Sequence, residues 1–598
     1  MSNPPYAAKS QEANIQNEKY ELLDSRITET YVKETIATSV NTVYDPYIKA
    51  FRWASDRLDP INGGIIGFVS NGNWLDNNSF DGFRKCLEKE FSSIYVFNLR
   101  GNQRTSGEIS RKEGGKIFGS GSRTPISITI LVKNPKVKRD KAEIRYRDIG
   151  DYLTREQKLE IVKESKSVLS PDFPTEIITP NEHGDWLNQR NDAFSHFIPL
   201  NCEKKFLSTS SSFFSTYSLG LATGRDVWVS GYSKEKVIFN TNAMIDFYNQ
   251  QVDRYNKLQE KSKNIDDDID LNPKKISWNR NLKDDFKKNK KHFFEKECMT
   301  LETYRPFSIR NIYFNKDLNA MMYQNIKIFP KENICICVPG ISGNKNYSVF
   351  ISNKLSDLNL MSAGTQCFPL YWYEKVEHIQ RGFFDTQDSD YVRHNGITDF
   401  ILDQARQIDY TITKEDIFYY VYGFLHCPEY RETFAADLKK MLPRIPLIDN
   451  PADFRAFSKA GRDLAALHLN YETVAPCPDV IVEGAELGNF RVEKMRFRSK
   501  DDKSTIVFNP YITVSNIPLK AYDYVINGQS AVEWIMDQYQ IQIDEKSGIT
   551  NDPNDWGLEH NNPRYILDLL LSVINVSLQS LDIIAALPKV DFTEKKTE

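Results

Sequence analysis

The sequence of 598 residues has no long uninterrupted apolar run and little cysteine. No run of about 18 uninterrupted apolar residues exists, which argues against a membrane span. The most apolar stretch, Tyr565 to Leu587, is broken by Asp568, Ser572, Asn575, Gln579 and Asp582, so it reads as an amphipathic helix packed on a core. The opening MSNPPYAAKSQ has neither a basic start nor an apolar segment, so no secretion signal is visible. Cysteine is scarce, with 8 residues, mostly single. That suits reduced thiols in a cytoplasm better than a disulfide framework. Excess charge of one sign is missing too, since the net charge is only −4. No internal repeat appears.

What is present is an ordinary globular composition, 40% apolar and 26% charged, at a length that suggests about four domains or two large ones. Charge is unevenly spread. Arg100 to Arg147 holds 13 Lys/Arg, Arg123 among them, against 4 Asp/Glu. A second window, Lys274 to Lys291, holds 8 Lys/Arg against Asp284 and Asp285 alone. Concentrated basic stretches on an otherwise acidic chain suit local contact with a polyanion, although solvated helix faces look the same in sequence.

The first 145 residues alternate helix and strand. Helices are expected over Tyr44–Leu58 and Phe80–Phe91, and short apolar strands over Ile65–Ser70, Ser93–Leu99 and Pro125–Val132. Such alternation predicts an α/β sheet covered on both faces. Residues 134–150 are charge-rich and read as a domain boundary. From about 300 onward, short strands (Asn311–Phe314, Ile334–Val338, Phe368–Tyr373, Ser504–Phe508) mix with helices (Lys414–Leu425, Phe454–Leu469).

The tetrapeptide Asn3-Pro4-Pro5-Tyr6 carries the most chemistry. Two prolines fix φ and remove two backbone donors, leaving carbonyl acceptors in a stiff loop. The Asn side-chain oxygen and a proline carbonyl can accept both N–H bonds of an exocyclic amine while the Tyr ring stacks on the base plane. Adenine N6 is a poor nucleophile because its lone pair is delocalised. Acceptors on its hydrogens favour a pyramidal nitrogen, which is preorganised electrostatic stabilisation. A glutamine side-chain amide of a protein would suit the same loop, but the basic windows and the long aromatic C-terminal half favour DNA.

The order NPPY, then GGIIGFVSNGNWL (63–75), SIYVFNLRGNQ (93–103) and KIFGSGSRTPISITILVKN (116–134) resembles the gamma group of amino-type DNA methyltransferases. The resemblance implies that Phe118 stacks on an adenine swung out of the duplex, opposite Tyr6. Asn3, Pro4, Pro5, Tyr6 and Phe118 are thus the expected catalytic set. Longer segments are similar to the C-terminal half of type ISP restriction–modification enzymes. They include FSSIYVFNLRGNQRTSGEISRKEGGKIFGSGSR (91–123), DWLNQR (185–190), QCFPLYWYE (366–374), DIFYYVYGFLHCPEYRETFAADLKKMLPRIPL (416–447) and NDPNDWGLEHNNPRYILDLLLSVI (551–574). That family joins a nuclease, a helicase-like motor, an adenine methyltransferase and a target-recognition domain in one polypeptide.

The fold implied is α/β: an incomplete Rossmann-like methyltransferase sheet (1–148), then a linker and the helical part of the target-recognition region (149–300) and the target-recognition domain (301–598), a large mixed α+β part. The implied cofactor is S-adenosylmethionine, but the glycine loop that binds it precedes NPPY in the gamma order. The chain is therefore expected to be a split or truncated product that is inactive alone, with the upstream nuclease, motor and methyltransferase half as a possible separate partner. Gly220–Gly224 and Val338–Gly343 are glycine-rich, yet the resemblance puts both in the recognition region. The expected partner is double-stranded DNA, held by Lys274, Lys275, Arg280, Lys287, Lys288, Lys290, Lys291 and Arg123; a specificity subunit without catalysis is the alternative. Tyr304–Phe307 is expected to be a structural turn and Asn509-Pro510-Tyr511 strand structure. His426-Cys427 reads as a packed helix end, and Cys335/Cys337 lack the neighbours a zinc site needs.

Overall fold

A computed structural model describes residues 2–5, 20–37, 40–105, 107–119, 122–170, 173–341, 345–375, 390–499 and 502–592. The chain forms two compact units: residues 1–195 with 436–441, and residues 196–435 with 442–598.

In the first unit, helix α1 (Glu21–Ile27) precedes α2 (Pro46–Ser55). Asp45 starts α2 by accepting the Tyr47 N–H, and Pro46 occupies the first turn, where a missing donor is harmless. Strand β1 (Gly64–Asn71), helix α3 (Asp81–Glu90), strand β2 (Ser93–Arg100), helix α4 (Gly107–Glu113) and strand β3 (Ile126–Lys133) follow. Next come β4 (Glu143–Asp148), α5 (Arg155–Glu164), β5 (Glu176–Ile178) and the short α6 (Asp192–Ser195). The sheet order is β1-β3-β2-β4-β5. Strand β3 runs antiparallel to both β1 and β2, and β2 runs parallel to β4. Ser2 adds a parallel bridge to Phe68 on the far side of β1. Ser2, β1, β2 and β4 therefore point one way, and their carboxyl ends share one edge of the sheet.

Side chains alternate between the faces. Phe68, Val96, Leu131 and Ile144 face a core with Phe51, Trp74 and Phe83 from α2, α3 and the turn between. Phe97 and Ile126 join Ile117, Ile149 and Phe173 in a second cluster. The segment expected to be a boundary, 134–150, instead contributes β4. Its inward residues, Ile144 and Tyr146, are buried, while Glu143 pairs with Arg139 and Arg145. The unit extends to Ser195 rather than ending at 148. Residues 436–441 close it: the buried Lys440 pairs with Asp185 at 3.1 Å and Asp76 at 3.3 Å, and donates to the Asn188 carbonyl at 2.7 Å.

The second unit is a mixed α/β assembly of several small sheets. It contains α7 (Asp226–Val229), the long α8 (Lys234–Asn256) and α9 (Arg280–Lys287). Strands Met299–Arg305 and Ser308–Tyr313 form a hairpin whose turn is Pro306–Phe307, with Phe307 at φ 57°; of the expected turn Tyr304–Phe307, Tyr304 and Arg305 instead end the first strand. Helices Lys414–Phe424 and Pro451–Leu469 cross at Gly423 and Gly461, where an added Cβ would sit 2.1 and 1.8 Å from facing carbonyl oxygens. Helix Tyr565–Ala585 is long and apolar enough to cross a membrane by composition, and it supplies Leu567, Leu570, Val573 and Ile574 to the largest core cluster.

Candidate functional site

Ser2 enters the first unit as a strand residue. Its N–H donates to the Gly67 carbonyl and its carbonyl accepts from Val69, both at 3.0 Å. Asn3, Pro4 and Pro5 leave from this bridge toward the carboxyl edge of the sheet. Pro4 is buried, whereas Asn3 and Pro5 are exposed. Tyr6 lies outside the described residues. Open parallel sheets bind ligands beyond the carboxyl ends of their strands.

The loop between β2 and β3 rises from the same edge. It begins at Arg100, held at φ 54° by a bulge and paired through its guanidinium with Asp148 and Asp151. Phe118 sits in this loop, half-buried against the cluster containing Phe97 and Ile117. Topology thus brings the Asn3–Pro5 segment and the Phe118 loop to one end of one sheet. Lys158 of α5 lies beneath that loop, fully buried; burial pushes its ammonium down to about 8, opposed by the Glu113 carboxylate, so it is charged at neutral pH. Sequence reasoning passed over Lys158, because its partners are backbone carbonyls that leave no residue signature.

The Asn509-Pro510-Tyr511 look-alike is a turn between strands Ile506–Val507 and Thr513–Ser515, not part of a strand. Its Asn509 amide donates to the Asn489 and Arg491 carbonyls and accepts from the Tyr511 and Ile512 N–H groups, so it is committed to the chain's own backbone. His426 ends a packed helix, and burial pushes the Cys427 thiol up to about 12, which leaves no nucleophile.

In the second unit, Asn279 caps α9 by accepting the Leu282 N–H at 2.9 Å, while Leu282 and Phe286 bury its inner face. The outer face opens on a cleft of about 580 Å³ lined by Trp278, Asn279, Arg280, Lys283, Asp284 and Lys287. Arg280 is almost fully exposed, with Asp284 no closer than 3.8 Å. Lys274, Lys287 and Lys288 are exposed and make no ion pair among the described residues; Arg123 of the first unit is exposed as well. Three of the expected cations are spoken for. Lys275 pairs with Asp270 at 3.3 Å, Lys290 with Asp317 and Asp285 at 2.7 and 3.1 Å, and Lys291 with Asp253 at 2.8 Å.

A family model described as the Type ISP C-terminal specificity domain matches residues 212–569, all but 436–441 of them in the second unit. A nuclease-deletion mutant of the Type ISP restriction-modification enzyme LlaGI, in complex with a DNA substrate mimic, is 41% identical with a TM-score of 0.85 over 99% of this chain. The chain belongs to the Type ISP restriction–modification family. The ATP-dependent Type ISP enzyme LlaBIII, bound to DNA, is 38% identical over 99% of the chain with a TM-score of 0.85. DrdV in its DNA complex is 29% identical over 98% with a TM-score of 0.81. The chain spans 53% of the LlaGI chain, 37% of the LlaBIII chain and 56% of the DrdV chain. No curated protein sequence matches it significantly.

Proposed function

We propose that this Type ISP chain carries the catalytic-loop part of an adenine-N6 DNA methyltransferase in its first unit and the target-recognition region in its second. The observation that carries the reading is the shared edge: Asn3–Pro5 leaves the Ser2 bridge at the end of the sheet where the Phe118 loop also emerges. The strand directions support an incomplete Rossmann-like sheet, since Ser2, β1, β2 and β4 run one way with β3 reversed among them.

In the proposed reaction the Asn3 side-chain oxygen and the Pro4 carbonyl accept the two N–H bonds of adenine N6, and Phe118 stacks on the base. S-adenosylmethionine supplies the methyl group when bound. At Gly220 and Gly340 the glycine-rich segments leave no room for it. An added Cβ at Gly220 would sit 2.5 Å from the Asp357 carbonyl oxygen, and one at Gly340 would sit 2.1 Å from that of Ala363. Both glycines are closed by the chain's own backbone. Cofactor binding is proposed to require the upstream half of a Type ISP enzyme, on the same polypeptide or as a partner.

Double-stranded DNA is the proposed substrate, with Lys274, Arg280, Lys287, Lys288 and Arg123 as phosphate contacts that fix register without reading sequence. The confinement of the family-model match to 212–569 favours a second reading, a DNA-binding specificity subunit without catalysis. Methyl transfer from labelled S-adenosylmethionine, measured with the upstream half supplied, separates the two. The Asn3→Ala variant should lose transfer and keep DNA affinity. Equal loss of both would make the loop structural, and no transfer by the unaltered pair would leave only the specificity role.

A further inference from the structure

The loop that carries Phe118 is fastened to α5 by an unusual set of contacts. After α4 the chain passes Gly114 at φ +66°, where an added Cβ would sit 2.2 Å from the Leu153 carbonyl oxygen. At Gly115 an added Cβ would sit 2.4 Å from the Arg155 nitrogen. The loop backbone therefore lies directly on the first turn of α5, a fit that only residues without side chains permit. That turn is itself rigid: Thr154 and Gln157 form a capping box.

Three alternate carbonyls of the loop then point at α5. Lys158 Nζ donates to the Glu113 carbonyl at 2.6 Å and to the Gly115 carbonyl at 2.9 Å. Arg155 Nε donates to the Ile117 carbonyl at 2.8 Å, and the Gly115 N–H donates back to the Leu153 carbonyl at 2.9 Å. Phe118 is the next residue. Lys158 is fully buried and has no carboxylate within ion-pair distance among the described residues. A buried cation whose partners are neutral carbonyls is a poor way to stabilise a fold, because an apolar side chain would fill the space without desolvating a charge. It is an effective way to fix the direction of a backbone segment.

We propose that Lys158, assisted by Arg155, is a positioning residue that holds the 113–117 backbone so that Phe118 is set at the sheet edge before a base arrives. The inference rests on the reading of Phe118 as the stacking aromatic and adds the element that aims it. A preformed stacking face spares the ordering of a loop at the moment of binding. Lys158 touches no reacting atom; it acts through the loop.

The test compares Lys158→Met, Lys158→Arg, Arg155→Ala and Phe118→Ala in the full chain. Amide hydrogen exchange is read first, without DNA. Lys158→Met should raise exchange over residues 113–119 about tenfold, the equivalent of one lost charged hydrogen bond, and leave β1, β2 and β3 unchanged. Lys158→Arg should restore most of the protection. With the upstream half supplied, Lys158→Met should lower kcat for methyl transfer about tenfold while KM for S-adenosylmethionine stays within about twofold. Exchange that rises evenly across the sheet, or turnover unchanged in Lys158→Met, would overturn the inference, and Arg155→Ala guards against a Lys158 variant that does not fold. Full turnover in Phe118→Ala with altered loop exchange in Lys158→Met would instead refute the stacking role while leaving the brace in place.

Discussion

Replacing Asp185 with Asn offers the sharpest test of what holds the first unit together. Asp185 is fully buried, receives Arg190 through two hydrogen bonds of 2.8 and 3.1 Å, and pairs with Lys440 at 3.1 Å. Arg84, also fully buried, lies 3.9 Å away, its other nitrogens donating to the Trp74, Asn77 and Gly184 carbonyls. Despite burial, Arg190 and Lys440 hold the Asp185 carboxyl far below the ordinary carboxylate range. Removing its charge leaves the buried Arg84 and Lys440 and the partly buried Arg190 facing a neutral amide. Breaking a buried pair in this way costs about 3–5 kcal/mol. At about 2–4 °C per kcal/mol for a unit of this size, the melting point should fall by roughly 6–20 °C. Lys440→Met should cost less, about 1–3 kcal/mol, because Asp185 keeps both Arg190 hydrogen bonds. The double variant should show a coupling energy of about 0.5–3 kcal/mol. Thermal unfolding of the full chain, with hydrogen exchange to locate the loss, measures all three. A shift for Asp185→Asn below about 1 kcal/mol, or additive single variants, would refute the network as the anchor of residues 436–441.

Two further outcomes follow from the charges. Lys287→Glu with Lys288→Glu should flatten the salt dependence of DNA binding by nearly one unit of slope for each phosphate left unneutralised, whereas Lys290→Ala should leave the slope unchanged because its ammonium already serves Asp285 and Asp317; equal effects of the two changes would remove α9 from the interface. Burial pushes the Asp45 carboxyl up to about 6 against the opposing Tyr47 N–H, so the folded first unit holds this proton more tightly than the unfolded chain. Its stability should therefore rise as pH falls from about 7 to about 4, and Asp45→Asn, which keeps the helix cap, should flatten that slope in a melting-point series. A slope unchanged by the substitution would contradict the assignment.

Strands β1, β2 and β3 of the first unit were legible to within about two residues, because Ile65–Ser70, Ser93–Leu99 and Pro125–Val132 are largely apolar. Strand β4 was not. In EIRYRD every second side chain is charged and outward, with Glu143 bound to Arg139 and Arg145, so the segment reads as linker although Ile144 and Tyr146 point inward. The basic window was legible as composition but not as surface. Lys290 and Lys291 meet Asp317 and Asp253, acids 27 and 38 positions away, and pattern reading along a helix does not reach that far. The stiffness of the Asn3–Pro5 segment is readable from residue type alone, since prolines declare their missing donors, while its chemistry stands as the proposal above. The hydrogen bonds of Lys158 were invisible because any residue can offer a carbonyl.

The return of residues 436–441 to the first unit bears on how such chains can be recombined. A crossover at residue 195 that exchanged one specificity region for another would import a foreign version of this hexapeptide into a resident Asp76, Asp185 and Asn191 pocket. Viable chimeras should therefore either inherit both sides of that pocket from one parent or splice around the hexapeptide, and a naive single-joint swap would deliver a mismatched plug.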